Sequence, residues 1–115
     1  MKKTIESKTG KIFIAEDDSK IIGYCIVNLK EIKNNQVFLD MINIEIEDIY
    51  VDEQYRKKGI GKILFDEAKN YAKEKGVKFI ELSVWGFNQN AIKFYEHLGM
   101  NIRICRIELK MEGFL

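Results

Sequence analysis

Two stretches of this 115-residue chain carry residues whose types and spacing could do chemistry. The first is Ile49-Tyr50-Val51-Asp52-Glu53-Gln54-Tyr55-Arg56-Lys57-Lys58-Gly59-Ile60-Gly61-Lys62, an apolar strand that runs through a polar turn onto an amphipathic helix. The first N–H groups of a helix have no partner within it, and the helix dipole adds positive potential there, so such a junction can hold an anion. Arg56, Lys57 and Lys58 add charge, while Gly59 and Gly61 let the backbone come close to a ligand. Phosphate is the expected guest. On spacing alone, Arg56-x-x-Gly59-x-Gly61 reads equally as a strand-to-helix turn with solvated cations. It has neither the order of a Walker A loop nor the third glycine of a dinucleotide fingerprint.

The second stretch is Asn88-Gln89-Asn90-Ala91-Ile92-Lys93-Phe94-Tyr95-Glu96-His97-Leu98-Gly99-Met100. Asn88 can cap a helix whose inner face is Ala91, Ile92, Tyr95 and Leu98, with Gly99 as its stop. By helical spacing alone Tyr95 is a core aromatic. Carboxylates able to act as bases lie elsewhere: Glu45 and Glu47 alternate onto one face of a strand, and Glu81 is on another. A solvated sheet face explains each of them as well. His97 reads as a helix-end residue, and Trp85 as a packing aromatic. Cys25 and Cys105 form no CxxC and have no histidine partners, so they suggest neither zinc nor a disulfide; both are expected as buried free thiols. No metal is expected.

These residues need elements to hold them. Lys11–Glu16 and Ile21–Ile32 are rich in β-branched and aromatic residues, and Asp17-Asp18-Ser19-Lys20 between them reads as a hairpin. Lys33-Asn34-Asn35 reads as a second turn. Ile42–Val51 alternates apolar and acidic residues, the pattern of a strand with unlike faces. From Ile60 the period changes: Ile60, Ile63, Leu64, Ala68, Tyr71 and Ala72 mark a helix ending near Gly76. Phe79–Val84 is a short apolar strand, and Ile102–Met111 a last one. The strand–helix–strand run from 42 to 84 is a βαβ unit with parallel strands. The expectation is an α+β fold: a mixed, mostly antiparallel sheet with a central βαβ unit and helices packed on it.

Composition narrows the partners. With 19 cations against 18 anions there is no general polyanion-binding field, so nucleic acid is a poor partner for the cation cluster at Arg56–Lys58. The N-terminus lacks the apolar stretch of a signal peptide and no apolar run reaches spanning length, so no membrane is expected and a reducing cytoplasm fits the two thiols.

Taken together, the two motifs closely resemble the GNAT family of acetyl-CoA-dependent N-acetyltransferases. Val51, Tyr55, Arg56, Gly59 and Gly61 match the family's cofactor loop, [Q/R]xxGxG/A after a strand ending in Val. Asn88, Ala91, Tyr95, Leu98 and Gly99 match its second block, with Met100 in the place of a Phe; the resemblance covers about residues 11 to 110. It implies that backbone N–H groups of Arg56, Lys57, Lys58, Gly59, Ile60, Gly61 and Lys62 bind the pyrophosphate of acetyl-CoA. Ile49, Tyr50 and Val51 would pair with its pantetheine like an added strand, and Asn88 would touch the cofactor arm. The strand 79–84 would splay from its neighbour to admit the thioester, whose carbonyl a backbone N–H polarises. Tyr95 would be the general acid for the leaving thiolate, and Glu45 or Glu47 the base that frees the amine.

The implied function is transfer of an acetyl group to a primary amine, on a small molecule or peptide, in a direct ternary complex. The alternative is a non-catalytic module that holds acetyl-CoA or CoA for regulation or assembly. Residues 1–115 would form a single GNAT-like domain without the family's usual N-terminal strand and two helices, an N-terminal wall of the acceptor site. A last strand lacking its hairpin partner would favour edge-to-edge pairing, hence a homodimer.

Overall fold

The computed structural model describes residues 2–7, 9–32 and 41–111. They form two compact units, 1–83 and 84–115, taken here in turn. In the first, strands β1 (Lys2–Ser7), β2 (Gly10–Asp17), β3 (Lys20–Ile32), β4 (Met41–Val51) and β5 (Ile80–Glu81) make one sheet in the order β1-β2-β3-β4-β5. Helix α1 (Ile60–Lys75) lies on β2, β3 and β4. The first three pairings are antiparallel and β4 with β5 is parallel, as the βαβ reading requires. The expected hairpin turn is present, with Asp18 and Ser19 both at positive φ, the geometry that matches the twist of a two-residue hairpin.

Register sorts the sheet into two faces. Phe13 lies opposite Cys25, and Val27 opposite Ile46. With Ile44, Leu64, Phe65, Ala68, Tyr71 and Ala72 these residues form the core between sheet and α1. Truncating a residue such as Leu64, which is 1% exposed, to Ala would cost about 2–5 kcal/mol. Gly23 lets α1 approach closely: a Cβ there would sit 2.8 Å from the Tyr50 carbonyl oxygen and 3.3 Å from Leu64. The first turns of α1 are thereby set directly on β3, which fixes where the helix begins.

The second unit contains α2 (Gln89–His97) and the segment that follows it. Asn88 caps the helix as expected, its Oδ1 accepting from Ala91 N at 3.2 Å. Both helices end in a left-handed glycine, Gly76 or Gly99, with a bond six residues long closing the turn: Val77 N to Ala72 O, and Met100 N to Tyr95 O.

Several expectations are corrected. Residues 2–7 form a strand that the sequence reading did not name. The buried stripe of α1 turns toward Phe65 rather than Ile63, which is 46% exposed. The strand expected over 79–84 is reduced to Ile80–Glu81, because the chain stops pairing with β4 there. Ile102–Met111 forms no strand. Its alternation changes parity between Ile104 and Ile107, and it pairs with no strand among the described residues; Cys105 is exposed rather than buried. The turn expected at Lys33-Asn34-Asn35 lies outside the described residues.

Candidate functional site

In the first unit, the candidate site is where β4 outruns its neighbour. β5 pairs with β4 at Ile44↔Ile80 and Glu45↔Glu81, while β4 continues to Val51. The ladder therefore ends at Glu45, and residues 46–51 run past it. A register shift opposite Ile26/Val27 interrupts β4 within this stretch: Ile46 faces Val27, and Asp48 faces Ile26. Such a bulge adds a residue and reverses which backbone groups point to each edge, a device common beside active sites.

Beyond Val51 the chain makes a short 3₁₀ turn, Glu53–Tyr55, capped by Asp52 Oδ1, which accepts from Gln54 N at 3.1 Å. Lys57 and Gly59 then adopt left-handed backbone, φ 65° and 81°. Gly59 is the N-cap of α1 and no side chain caps this helix end; nor is there an acidic residue in its first turn. The first helical bond is Ile63 N to Gly59 O, so the donors of Ile60, Gly61 and Lys62 precede the helical ladder. A Cβ built on Gly59 meets no atom within 4 Å. Left-handed turns, outward N–H groups and open space are the requirements of a phosphate seat, and this loop meets them.

Two of the three cations, Arg56 and Lys58, are engaged with the loop itself. Arg56 Nε donates to Val51 O at 3.0 Å, tying the loop to the end of β4. Lys58 Nζ lies 5.5 Å from the Tyr55 ring centroid. Lys62 bonds Asp66 Oδ2 at 2.9 Å and thereby holds that carboxyl below the usual range. Tyr55 donates to Asp17 Oδ2 at 2.8 Å, joining the loop to the β2–β3 hairpin; that bond, then desolvation, raises its pKa. An anion at this turn would therefore meet the backbone of 57–62 more than its side chains, since Arg56 N donates to Glu53 O at 3.4 Å.

The bulge also revises the carboxylates. Glu45 lies opposite Asn28, on the face away from α1, as expected. The next in-register position on that face belongs to Asp48 rather than Glu47, because Glu47 is the extra residue of the bulge. Glu47 Oε1 accepts from Asn28 Nδ2 at 3.4 Å. Asp48 accepts from the Tyr24 hydroxyl at 2.9 Å, which raises the pKa of Tyr24, with desolvation adding to the effect. Lys30 Nζ lies 3.7 Å from Glu45 and 3.8 Å from Glu81. Ile49, Tyr50 and Val51 lie on the stretch past the ladder, with Tyr50 packed on Tyr24 at 5.5 Å between ring centroids. Asp48, Tyr24 and Asn43 were not singled out from the sequence. The signal for Asp48 was there, in the doublet Glu47-Asp48 that breaks the alternation of INIEIEDIYV.

Cys25 is buried, and burial first, with Asp48 second, pushes its thiol up to about 12. Such a thiol stays protonated and is no nucleophile at neutral pH. In the second unit, Asn88 spends its Oδ1 on the helix cap, leaving Nδ2 as the group it could offer a ligand. Tyr95 is half-buried on α2 with its ring edge-on to Phe94 at 5.3 Å. Trp85 and Phe87 stack at 5.9 Å and are exposed; His97 is exposed in the last turn. Among the described residues, no group of three or more His, Cys, Asp or Glu side chains is placed to hold a metal, and no helix is long and apolar enough to cross a membrane.

Known proteins share this fold. The fold matches a mutant of the BH1408 protein from Bacillus halodurans with a TM-score of 0.87 at 30% identity, covering 93% of this chain and 69% of that one. It also matches the aminoglycoside N-acetyltransferase AAC(6')-Iy, solved in complex with CoA, with a TM-score of 0.78 over 93% of this chain and 79% of that one; at 20% identity this likeness shows the fold alone. In sequence the chain is 40% identical over 78 residues to the L-ornithine N5-acetyltransferase NATA1 of Arabidopsis thaliana, 64% of this chain and 34% of that protein. The chain spans less than half the length of the curated relatives it matches. The profile of the acetyltransferase (GNAT) family matches residues 1–100, and the chain belongs to that family.

Proposed function

We propose that this chain is the acetyl-transfer core of an N-acetyltransferase that moves an acetyl group from acetyl-CoA to a primary amine. One observation carries the reading: β4 runs past its parallel partner and leads directly into a helix N-terminus that no side chain caps. A strand edge and an anion seat in series suit a ligand with an amide-bearing arm and a pyrophosphate. Backbone N–H groups of Arg56–Lys62 would hold the phosphates, residues 49–51 would pair with the arm, and Asn88 would donate to it through Nδ2. When bound, acetyl-CoA supplies an acetyl group activated as a thioester.

The residues of this chain would then manage protons. An alkylammonium with a reference pKa of about 10.4 must lose a proton before its nitrogen can attack. Glu45 or Glu47, directly or through water, would accept it. As the nitrogen–carbon bond forms, the carbon–sulfur bond breaks and its electron pair leaves on sulfur. Tyr95, a phenol with a reference pKa of about 10, would protonate that thiolate. The products are an amide, CoA thiol and one released proton. Neither cysteine enters this scheme, in keeping with a direct transfer.

The second reading, a non-catalytic CoA-binding module, is favoured by one observation: Glu45, a candidate base, is engaged by the Lys30 ammonium at 3.7 Å. Calorimetric titration with acetyl-CoA and CoA, followed by thiol release over a panel of amines, separates the two. Binding together with thiol release supports the enzyme; binding without release for any amine supports the module. We also take the assembly to be a homodimer in the cytoplasm. The exposed apolar residues Ile102, Ile104, Ile107 and Leu109 support the first part, and sedimentation at micromolar concentration tests it.

A further inference from the structure

The lysines of α1 fall into two groups. Lys62 bonds Asp66 at 2.9 Å, and Lys75 lies 3.9 Å from Glu6. Lys69 and Lys73, one turn apart on the helix, form no ion pair among the described residues, and neither does Lys78, just past the Gly76 cap. Asp66, about one turn before Lys69, is already bonded by Lys62. The helix dipole accounts for Lys73 in the last turn, but not for Lys69 or Lys78. On a chain with 19 cations against 18 anions, three ammoniums without a paired carboxylate in one place are a local excess.

A second observation is independent of charge. The left-handed cap at Gly76 turns the chain from α1 toward β5, and the end of the helix and the start of the strand leave a cavity of about 190 Å³ between them. Ala72, Val77, Phe79 and Ile80 give it an apolar lining, and the rest of the lining is the same three lysines. Phe79 is 50% exposed, so part of that apolar surface meets water. Sites that enclose a whole small molecule measure about 300–1,000 Å³. This cavity is smaller, and its size suits one large apolar side chain.

The two observations specify one occupant. An apolar side chain seated in the cavity brings its own neighbours in sequence beside Lys69, Lys73 and Lys78, where carboxylates are favoured. A desolvated anchor inside a charged rim is the usual anatomy of a small protein interface. A nucleic-acid backbone would satisfy the ammoniums but leave the apolar recess wet, since bases stack on open aromatic faces. The cavity is also remote from the anion seat. Helix α1 spans 16 residues, about 24 Å at 1.5 Å each, with Gly59 at one end and the cavity toward the other.

We propose that this cavity docks an acidic peptide segment of a partner protein. One large apolar side chain of that segment sits against Val77, Phe79 and Ile80, and carboxylates on either side of it meet Lys69, Lys73 and Lys78. The docking surface does not depend on the acetyl-transfer reading.

The test uses the whole chain and the fluorescence anisotropy of labelled peptides: Asp-Glu-Phe-Glu-Asp, the same peptide with Ala for Phe, and Lys-Lys-Phe-Lys-Lys. The first is expected to bind about tenfold more tightly than the second, the gain from burying a phenyl ring, and the third not to bind. Raising the ionic strength should weaken the first several-fold. Lys73→Glu combined with Lys78→Glu, both at exposed positions outside the anion seat, should weaken it by more than about tenfold in a protein with native circular dichroism. Val77→Phe, which fills the cavity and keeps the charges, should abolish the preference for the Phe peptide over the Ala peptide. No saturable binding of the acidic Phe peptide, equal binding of the Phe and Ala peptides, or an affinity unmoved by charge reversal would overturn the proposal. Oligothymidylate binding that exceeds the peptide's and disappears on charge reversal would overturn it in favour of nucleic acid. Self-association that charge reversal removes and that excludes the peptide would give the cavity to a second copy instead.

Discussion

The two helices begin with the same deficit and resolve it differently. At α2, Asn88 fills the gap with its own Oδ1, bonding Ala91 N. At α1, Gly59 has no side chain to offer, sits at φ 81°, and leaves open space above the first turn. Capping by Asn is worth about 1 kcal/mol relative to Ala. A helix that omits it, with no acidic residue in its first turn to compensate, keeps its donors available for something else. The contrast frames the proposal: α1 would offer backbone, and α2 would offer side chains, Asn88 and Tyr95.

The strongest way to break this contrast is to make α1 resemble α2. Gly59→Asp places a carboxylate over the donors of the first turn and a negative charge where phosphate would sit. Acetyl-CoA affinity should fall by more than about 100-fold, since it loses both the seat and a favourable field. The folded state pays only for an Asp in left-handed backbone, about 1 kcal/mol, partly offset by the new cap. Calorimetry on a variant with native circular dichroism checks this; unchanged affinity would remove the loop from the site.

Tyr95→Phe tests the other half. If α2 contributes a proton donor, kcat should fall by about 100-fold, with acetyl-CoA affinity nearly intact. Unaltered turnover would return Tyr95 to the role that helical spacing alone gives it, a packing aromatic.

How much of this was legible in the sequence follows the kind of signal. The α1 boundary was readable because Ile60 starts a 3.6-residue period and Gly76 ends it with a left-handed cap. Asn88 as a cap was readable because short amides before an amphipathic run have a local reason to be there. The loop was readable in type, including the lesser weight of its cations, of which Arg56 turns back to Val51 and Lys58 lies against Tyr55. What escaped were properties of pairing. The bulge that puts Asp48 on the face of Glu45 depends on the register of β3 against β4, and only the doublet Glu47-Asp48 hints at it. β1 escaped because Lys2–Ser7 is polar, and its existence depends on an open β2 edge. Residues 102–111 read as a strand because β-branched residues recur there, but a strand is a relation between two segments, and none of the described residues pairs with these.

A subtler comparison separates the two duties of Asn88. Asn88→Asp retains an oxygen for Ala91 N and removes the Nδ2 donor, whereas Asn88→Ala removes both. Asp should keep the melting temperature close to the parent and weaken acetyl-CoA binding several-fold. Ala should add a loss of about 1 kcal/mol of stability. Equal cofactor affinity in parent and Asp variant would leave Asn88 as a cap alone.

The smallest effect concerns how the α1 loop is held open. Tyr55 donates to Asp17, so the loop that presents α1 leans on the β2–β3 hairpin. That bond raises the Tyr55 pKa above its ordinary value of about 10, because ionising the phenol in the folded state breaks the bond and sets two anions together. The sign follows from linkage. A group whose pKa is higher folded than unfolded binds its proton more tightly when folded, so its contribution is complete below pH 10 and disappears as pH rises through the folded value. Tyr55→Phe should therefore lower the melting temperature slightly and by a constant amount between pH 7 and 9, with the gap to the parent closing above pH 10. Tyr24, tied to Asp48, titrates in the same sense and is present in both proteins, so it cancels from the difference. The variant should also bind acetyl-CoA slightly less well at neutral pH, by loosening the turn rather than removing a contact. A gap that stays constant through pH 11 would mean that the Tyr55 ring, packed under Lys58, supports the loop and its hydroxyl does not.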